Sequence, residues 1–238
     1  MALALSAMAG DKKPAQKGKP AEPAGTIVDA GSFGIYLSGK RVATESFTVK
    51  QFADDSVTES ELKLEDGKPA QACRLQMKQD GNLQRYEWHV VSDADKSAVV
   101  LGPENDILIQ HITLPDLKTA EQKYLLNPAT QVLDDYFFSQ RELLLWRYLA
   151  GNCHPGADNK GCNLPKTQFG IVIPRQRISA LIDVQYIGRD KLTYKGVEGD
   201  FGHFKISPEG SEWHLWLNNE HRLVRISIPS ENTEVVRD

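Results

Sequence analysis

The final third of the chain alternates apolar and polar residues along several consecutive segments. Val224, Ile226 and Ile228 are apolar, whereas Arg225 and Ser227 between them are polar. A period of two places the apolar side chains on one face of a β-strand. Turn-forming residues separate the segments at Gly188-Arg189-Asp190, Glu209-Gly210 and Asn218-Asn219. This pattern predicts an antiparallel meander with one buried face, and it contains no catalytic motif.

The same alternation occurs earlier in the chain. Strands are predicted at residues 32–37, 40–52, 57–64, 71–77, 83–91, 97–101 and 107–113, and again at 168–173, 178–187, 191–195, 201–206, 212–217, 222–228 and 234–236. Tight turns are predicted at Ser38-Gly39, Asp66-Gly67 and Asp80-Gly81. Pro174 ends the strand before it, because proline lacks the amide hydrogen that a central strand donates.

One helix is predicted between the two groups of strands, opened by Asn127-Pro128 and ended by Gly151. Its apolar stripe follows three- and four-residue steps and consists of Leu133, Tyr136, Phe137, Leu144 and Tyr148. The stripe is widened on both sides by Val132, Phe138, Leu143, Leu145 and Trp146. A helix that is apolar on nearly all sides must be enclosed by protein. We therefore expect a large curved antiparallel sheet, or half-barrel, wrapped around one long apolar helix.

Composition agrees with a mostly β protein of the α+β class. The 238 residues are 40% hydrophobic with a mean hydropathy of -0.42, as in globular chains that have an apolar core. The strands do not alternate with helices, which argues against a nucleotide-binding fold. The net charge of -4 provides no positive field for nucleic acid, and no apolar segment approaches the roughly 18 residues that span a bilayer. We expect one β-rich domain at residues 27–238.

The N-terminal residues differ in composition from the rest of the chain. Residues 1–9 are small and apolar and end in Ala7-Met8-Ala9, the A-x-A pattern of a signal-peptidase site. Residues 10–26 contain four lysines and three prolines but little to bury, as is typical of a flexible tether. We expect a signal-peptide remnant followed by a tether, and a periplasmic or secreted bacterial protein. An alanine-rich tail is the alternative for residues 1–9.

Two of the three cysteines bracket a segment rich in turn-forming residues. In an oxidising compartment, Cys153 and Cys162 are expected to form a local disulfide. The alternative is a metal site that adds His154 and Asp158, although metal-binding cysteines are usually two to four residues apart. Cys73 lies on a predicted strand and is expected to be a buried free thiol.

Common catalytic signatures are missing from the sequence, including the Gly-x-Ser-x-Gly elbow, His-Glu-x-x-His, Cys-x-x-Cys and the phosphate-binding loop. Glu-Trp-His occurs twice, at residues 87–89 and 212–214, so that glutamate and histidine share one face of each strand. On adjacent strands, the two pairs would be able to hold zinc. The alternative is two amphipathic strands, each with a buried tryptophan. We expect no enzyme activity, no metal and no cofactor.

The aromatic residues indicate binding rather than catalysis. If the sheet closes imperfectly around the helix, the gap is an apolar cleft suited to an acyl chain; if it closes fully, the same residues form the core. The predicted ligand-binding residues are Leu133, Phe137, Leu144 and Tyr148 on the helix, Trp213 and Trp216 opposite it, and Arg225 at the rim. In this position Arg225 would hold an anionic headgroup.

Several short motifs carry a family resemblance, namely Leu192-Thr193-Tyr194-Lys195, Gly199-Asp200-Phe201, Leu215-Trp216-Leu217 and Arg222-Leu223-Val224-Arg225-Ile226. Together with Gly34-Ile35-Tyr36, Gly39 and Val42, they resemble a family of exported bacterial proteins, the domain of unknown function numbered 3108. In this chain, Leu223-Val224 stand where the family usually has a proline before the arginine. The resemblance implies an open half-barrel around a helix, similar to periplasmic lipoprotein carriers, and it implies no catalytic residues.

These observations predict a non-enzymatic exported protein that binds an apolar or amphipathic envelope molecule, such as a lipid or lipopeptide. One alternative is an envelope scaffold that binds protein or peptidoglycan through a sheet edge or its acidic surface. A metal-dependent hydrolase that uses the two Glu/His pairs is a further alternative. Neither a nucleic-acid partner nor a transmembrane segment is expected.

Overall fold

The computed structural model describes residues 25–125, 129–153, 162–208 and 210–238. Within these ranges one helix, α1 (Ser139–Asn152), accompanies fifteen strands. The strands of the first half are β1 (Thr26–Leu37), β2 (Lys40–Gln51), β3 (Asp55–Leu64), β4 (Gln71–Lys78), β5 (Leu83–Val90), β6 (Ala98–Glu104), β7 (Ile107–Thr113) and β8 (Thr119–Tyr124). The others are β9 (Gln131–Val132), β10 (Thr167–Ile173), β11 (Ile178–Tyr194), β12 (Val197–Ser207), β13 (Trp213–Leu217), β14 (Leu223–Ile228) and β15 (Thr233–Arg237).

Some sequence predictions lie outside the described residues. These are the signal-peptide remnant, nearly all of the tether, and the assignments made for Asn127-Pro128, His154, Asp158 and Glu209. They stay predictions. No helix in the described ranges is long and apolar enough to cross a membrane.

All fifteen strands belong to one sheet in the order β8-β7-β6-β5-β4-β3-β2-β1-β15-β14-β13-β12-β11-β10-β9. Neighbouring strands are antiparallel, except that the two-residue strand β9 lies parallel to β10. The two meanders meet where β1 pairs with β15, with Gly34 opposite Val236. The expectation of a large antiparallel sheet is confirmed, and the pairing of the first strand with the last joins its two halves.

The sheet curves around α1. Leu144, Leu145 and Tyr148 are fully buried in a core cluster that draws residues from strands of both halves. Glu142 on the helix accepts a hydrogen bond from the amide of Leu223 on β14 (2.8 Å), while the start of the helix is bonded to Glu45 on β2. Because α1 contacts strands from both meanders, the curved sheet encloses it.

Polar side chains connect the two ends of the sheet. The Gln110 side chain on β7 donates to the carbonyl oxygen of Pro174 (2.8 Å) and accepts from the Tyr124 hydroxyl (2.7 Å). Arg175 donates to Gln71 on β4 (2.6 Å). Among the described residues, side chains and no backbone ladder bridge the open sheet along this seam.

The helix is shorter than the sequence predicts. It has 14 residues and begins at Ser139, so the prediction of a long helix that includes Leu133 and Phe137 is wrong. Residues Gln131–Val132 form β9 instead, and Tyr136 has a positive φ of 60° that interrupts a helix. Arg141 and Glu142 are buried in α1, so the helix is not uniformly apolar.

The predicted turn at Gly188-Arg189-Asp190 is also wrong. These residues lie inside the long strand β11, which has a register shift between Tyr186 and Gly188. Gly188 has a φ of 151°, a backbone conformation that a residue with a side chain rarely adopts. The turn signal in the sequence therefore marks a β-bulge.

Candidate ligand-binding site

The predicted binding residues at the centre of the molecule are core residues. Leu133, Phe137, Leu144 and Tyr148 each have a relative exposure of 0% and belong to one closely packed cluster. Tyr148 packs edge-to-face against Phe204, with ring centroids 6.1 Å apart. Side chains that are fully buried by protein leave no surface for a ligand at the middle of the helix.

The predicted residues on β13 and β14 lie on two different faces of the sheet. Trp213 packs against the core, but Trp216 belongs to a separate cluster with Phe201 and Val224 on the outer face. The expectation that Trp216 faces the helix is wrong, because residues an odd number apart on a strand point to opposite faces. The guanidinium of Arg225 lies 5.3 Å from the Trp216 ring centroid, also on the outer face.

The interior near the start of α1 is polar and filled. Glu45 accepts hydrogen bonds from the Phe138 amide (2.6 Å) and from the Ser139 hydroxyl (2.6 Å). The carboxyl group of a residue on strand β2 thus caps the N-terminus of the helix. Burial raises the pKa of Glu45 to about 7, and the hydrogen bonds from Ser139 and Ser60 oppose this shift.

A second polar group fills the interior beside the seam. The Tyr86 hydroxyl donates to Asp134, which is fully buried, and Asp134 is paired with Arg175 (2.9 Å). The Arg175 guanidinium lies 5.3 Å from the ring centroid of Trp88. Burial, followed by the charge of Asp134, raises the pKa of Tyr86 well above its usual value, so this phenol stays protonated. The arrangement holds the chain before the helix against β5.

An apolar cavity lies at the opposite end, where α1 finishes. Its volume is about 560 Å³, within the usual range for small-molecule sites. The lining residues are Val28 and Gln51 from β1 and β2, Trp146, Leu149 and Ala150 from α1, the cysteines Cys153 and Cys162, and Glu220 and His221 before β14. We call this space the mouth cavity. None of the predicted ligand-binding residues lines it.

Apolar side chains form most of the mouth cavity, with polar groups at its edge. The indole nitrogen of Trp146 donates to the carbonyl oxygen of His221 (2.6 Å). This hydrogen bond holds the tryptophan in place in the wall of the cavity. Glu220 is 3.4 Å from Arg222 in an exposed ion pair. The arrangement suits an apolar body and a polar end group.

The predicted disulfide is confirmed. Cys153 and Cys162 are bonded to each other, and both line the mouth cavity. Since both thiols are consumed, the alternative in which they bind a metal is wrong. Cys73 is a buried free thiol, as expected, and the Gln140 amide lies 3.7 Å from its sulfur.

Removing this disulfide is expected to destabilise the protein by about 2–3 kcal/mol, because the bond closes a short loop in the unfolded chain. The variant is Cys153→Ala with Cys162→Ala, and the measurement is the urea midpoint with and without dithiothreitol. The reductant should lower the midpoint of the unaltered protein and leave that of the double variant unchanged. If dithiothreitol left the urea midpoint of the unaltered protein unchanged as well, the disulfide would not contribute the expected stability.

The two Glu-Trp-His segments do not meet. Residues 87–89 lie on β5, between β4 and β6, whereas residues 213–214 lie on β13, between β12 and β14. The two Glu/His pairs therefore cannot share one metal ion. His214 instead contacts His203, with 2.9 Å between their ring nitrogens. No sequence motif indicated this pair, because the partners come from different strands.

Comparison with known proteins leaves the family open. No protein-family model matches the chain, and no curated protein matches it. Among solved structures, it is similar to a beta-barrel-like protein of domain of unknown function DUF1849 from Brucella abortus. The TM-score is 0.49, with 9% sequence identity over 90% of this chain and 97% of that chain. The resemblance to the family numbered 3108 stays a prediction.

Proposed function

We propose that this protein binds an apolar or amphipathic molecule, such as a lipid or lipopeptide, in the mouth cavity, and that it does so in the bacterial periplasm without chemically altering that molecule. The observation that carries the proposal is the apolar cavity of about 560 Å³ at the end of the enclosed helix. Its volume fits one acyl chain or a molecule of similar size. The ligand site thus moves from the centre of the helix, where the sequence placed it, to the end.

Exposed apolar side chains at the edge of the mouth cavity support this proposal. Val28, which lines the cavity, is 43% exposed, and Trp146 on the same wall is only partly buried. Apolar surface in water is unfavourable by about 25 cal/mol per Å². A ligand that lies across Val28 and the Trp146 ring would remove this surface from water.

The polar residues at the edge define the end group of the ligand. Gln51, Glu220 and His221 line the mouth cavity, whereas Arg225 lies on the outer face of the sheet beside Trp216. A neutral hydroxyl or amide group, or a protonated amine, therefore fits this edge better than a carboxylate or phosphate. This replaces the anionic headgroup that the sequence assigned to Arg225.

Leu149→Gln is the variant that tests the site, because glutamine is a good helix former and makes the wall of the cavity polar. Titration calorimetry with monolaurin, a neutral acyl glycerol, should give saturable binding by the unaltered protein. Loss of the leucine contact is expected to weaken binding by about 2 kcal/mol, which is about 30-fold in Kd.

Ile187→Gln is the matched control, since Ile187 is a 47% exposed residue of β11 that does not line the mouth cavity. This variant should bind monolaurin with unchanged affinity, and circular dichroism should show that both variants are folded at the temperature of the titration. Equal weakening by both substitutions, or absence of saturable binding, would overturn the proposal. Native mass spectrometry of the protein from its own cells would then identify any lipid that it carries.

The scaffold alternative has less support in the structure. Its natural docking element is the edge strand β8, whose outward side pairs with no other strand in the described ranges. Glu121 and Lys123 on this strand form an exposed ion pair (3.2 Å). Charged side chains on an edge discourage the addition of another strand. We therefore favour ligand binding.

A further inference from the structure

Three titratable side chains form a hydrogen-bonded chain on the outer face of the sheet. The carboxylate of Asp190 lies 2.9 Å from Nδ1 of His203. The other ring nitrogen of His203, Nε2, lies 2.9 Å from Nδ1 of His214. The Trp216 indole donates to the same Asp190 oxygen (3.0 Å), and its ring stacks on His203 with centroids 4.9 Å apart. We call Asp190, His203 and His214 the histidine chain.

The β-bulge in β11 creates this arrangement. Before the bulge, Tyr186 faces inward and contacts Phe204 with ring centroids 5.3 Å apart. After it, Gly188 pairs with His203 and the following residues change faces. Asp190 consequently points outward, on the same face as His203. The glycine that the sequence marked as a turn is what brings the carboxylate to the imidazole.

The hydrogen bonds determine where the protons lie. Since Asp190 accepts, Nδ1 of His203 carries a proton, and Nε2 of His203 is left as an acceptor. Nδ1 of His214 then donates to it, which leaves Nε2 of His214 as a free lone pair. Burial lowers the pKa of His203; the charge of Asp190 opposes this shift, and the nearby His214 adds to it.

A second cavity lies beside His214. It has a volume of about 460 Å³ and is lined by Gly210, Ser211, Glu212, His214, Pro229 and Ser230. The hydroxyls of Ser211 and Ser230 are 3.0 Å apart at its edge. Lys205, which pairs with His214 across the strands, is held by Glu212 (2.9 Å). This cavity and the mouth cavity lie at opposite ends of β13.

We propose that His214 is an acyl-accepting nucleophile for small activated esters, that His203 takes up the proton of His214, and that Asp190 positions His203. A nucleophile held by a base, which is in turn oriented by a third group, is the arrangement that activates side chains for covalent catalysis. This activity is independent of ligand binding at the mouth cavity, because the two sites share no lining residue.

The reaction balances with the groups present. Nε2 of His214 attacks the acyl carbon; the nitrogen–carbon bond forms, the ester carbon–oxygen bond breaks, and the leaving oxygen keeps the electron pair. The Nδ1 proton of His214 passes to Nε2 of His203, whose own Nδ1 proton is held by Asp190. Water then attacks the acyl-imidazole, the carbon–nitrogen bond breaks and its electron pair returns to Nε2, and the relayed proton returns to Nδ1 of His214. The products are a carboxylate, the alcohol and one proton released to solvent; a leaving group that stays ionised releases a second proton in place of the alcohol hydrogen.

The test uses p-nitrophenyl acetate and the full-length protein. We expect release of p-nitrophenol and a transient acetyl group on the peptide that contains His214, identified by mass spectrometry after rapid acid quenching. His214→Gln should lower the rate by about 100-fold, within the range for positioned proton-transfer and nucleophilic groups. His111→Gln is the matched control, because His111 is an exposed histidine of β7 that lines neither cavity, and this variant should leave the rate unchanged.

The positioning role has its own readout. Asp190→Asn should reduce kcat by about tenfold without changing KM, and Asp190→Glu should restore part of it. If Asp190 had only a structural role, Asp190→Asn would lower the melting temperature, and in the unaltered protein His214 would be acetylated at the same rate as His111. Equal acetylation of these two histidines in the unaltered protein, or an unchanged rate in His214→Gln, would overturn the proposal.

Discussion

Replacing Arg237 with methionine is expected to lower the free energy of unfolding by about 3–5 kcal/mol, the usual cost of removing one partner from a buried ion pair. Arg237 is the last residue but one, yet its side chain is only 8% exposed. It donates to both carboxylate oxygens of Asp29, at 2.6 and 2.8 Å. Methionine fills much of the same volume and leaves the Asp29 carboxylate buried without its main partner.

Several contacts of Arg237 make this effect large. Its guanidinium also lies 3.5 Å from Glu142 on α1 and 5.1 Å from the Phe47 ring centroid on β2. The residue therefore joins β15, β1, β2 and the helix at the place where the two meanders meet. Loss of this side chain weakens the junction between the halves of the sheet.

Urea unfolding followed by circular dichroism measures the change. Arg225→Met is the matched control, because Arg225 forms an ion pair with Glu234 (2.9 Å) whose side chains are 42% and 36% exposed. An exposed pair is worth about 0–1 kcal/mol. If both variants lowered the urea midpoint equally, the buried pair would not be the stronger of the two.

Glu45 is expected to make the protein less stable as the pH rises. Its pKa is about 7 in the folded protein and 4.5 as the reference value. The folded state therefore holds the proton more tightly, so the free energy of unfolding falls between about pH 4.5 and 7 and levels off above this range. The shift of about 2.5 units corresponds to about 3 kcal/mol. Glu142, whose pKa burial raises to about 8, acts in the same direction.

Glu45→Gln tests this effect, because glutamine has a similar shape and does not ionise. The urea midpoint of the unaltered protein, measured from pH 4 to pH 8, should decline more steeply than that of the variant. The difference between the two profiles should reach about 3 kcal/mol at pH 8. Glu59→Gln, an exposed residue paired with Lys50 (3.1 Å), is the control and should keep the original profile. Parallel profiles for Glu45→Gln and the unaltered protein would contradict the prediction.

The sequence predicted the strands well because each strand has one buried face. On β14, Leu223, Val224, Ile226 and Ile228 are buried, while Arg225 and Ser227 are less so, close to the alternation read from the residues. The edge strand β8 was missed, since its residues are mostly exposed and polar. Its place in the sheet depends on pairing with β7 and not on burial of its own side chains.

The helix was misjudged because apolar residues alone do not define a helix start. Leu133 and Phe137 are buried in the same core as α1, so they fit a helical stripe although they lie outside the helix. The true start at Ser139 is determined by Glu45, which is 94 residues earlier in the chain. A cap supplied by a distant strand leaves no local signal in the sequence.

Sequence by itself determined the mostly β class, the positions of most strands, the disulfide and the buried Cys73. These features depend on local alternation, on turn-forming residues and on cysteine spacing, all of which are properties of neighbouring residues. Only the tertiary structure decided that β1 pairs with β15, that an apolar cavity lies beside Trp146, and that Asp190 meets His203. Each of these features brings together residues that are far apart in the chain, and which segments become neighbours is decided when the whole sheet curves around the helix.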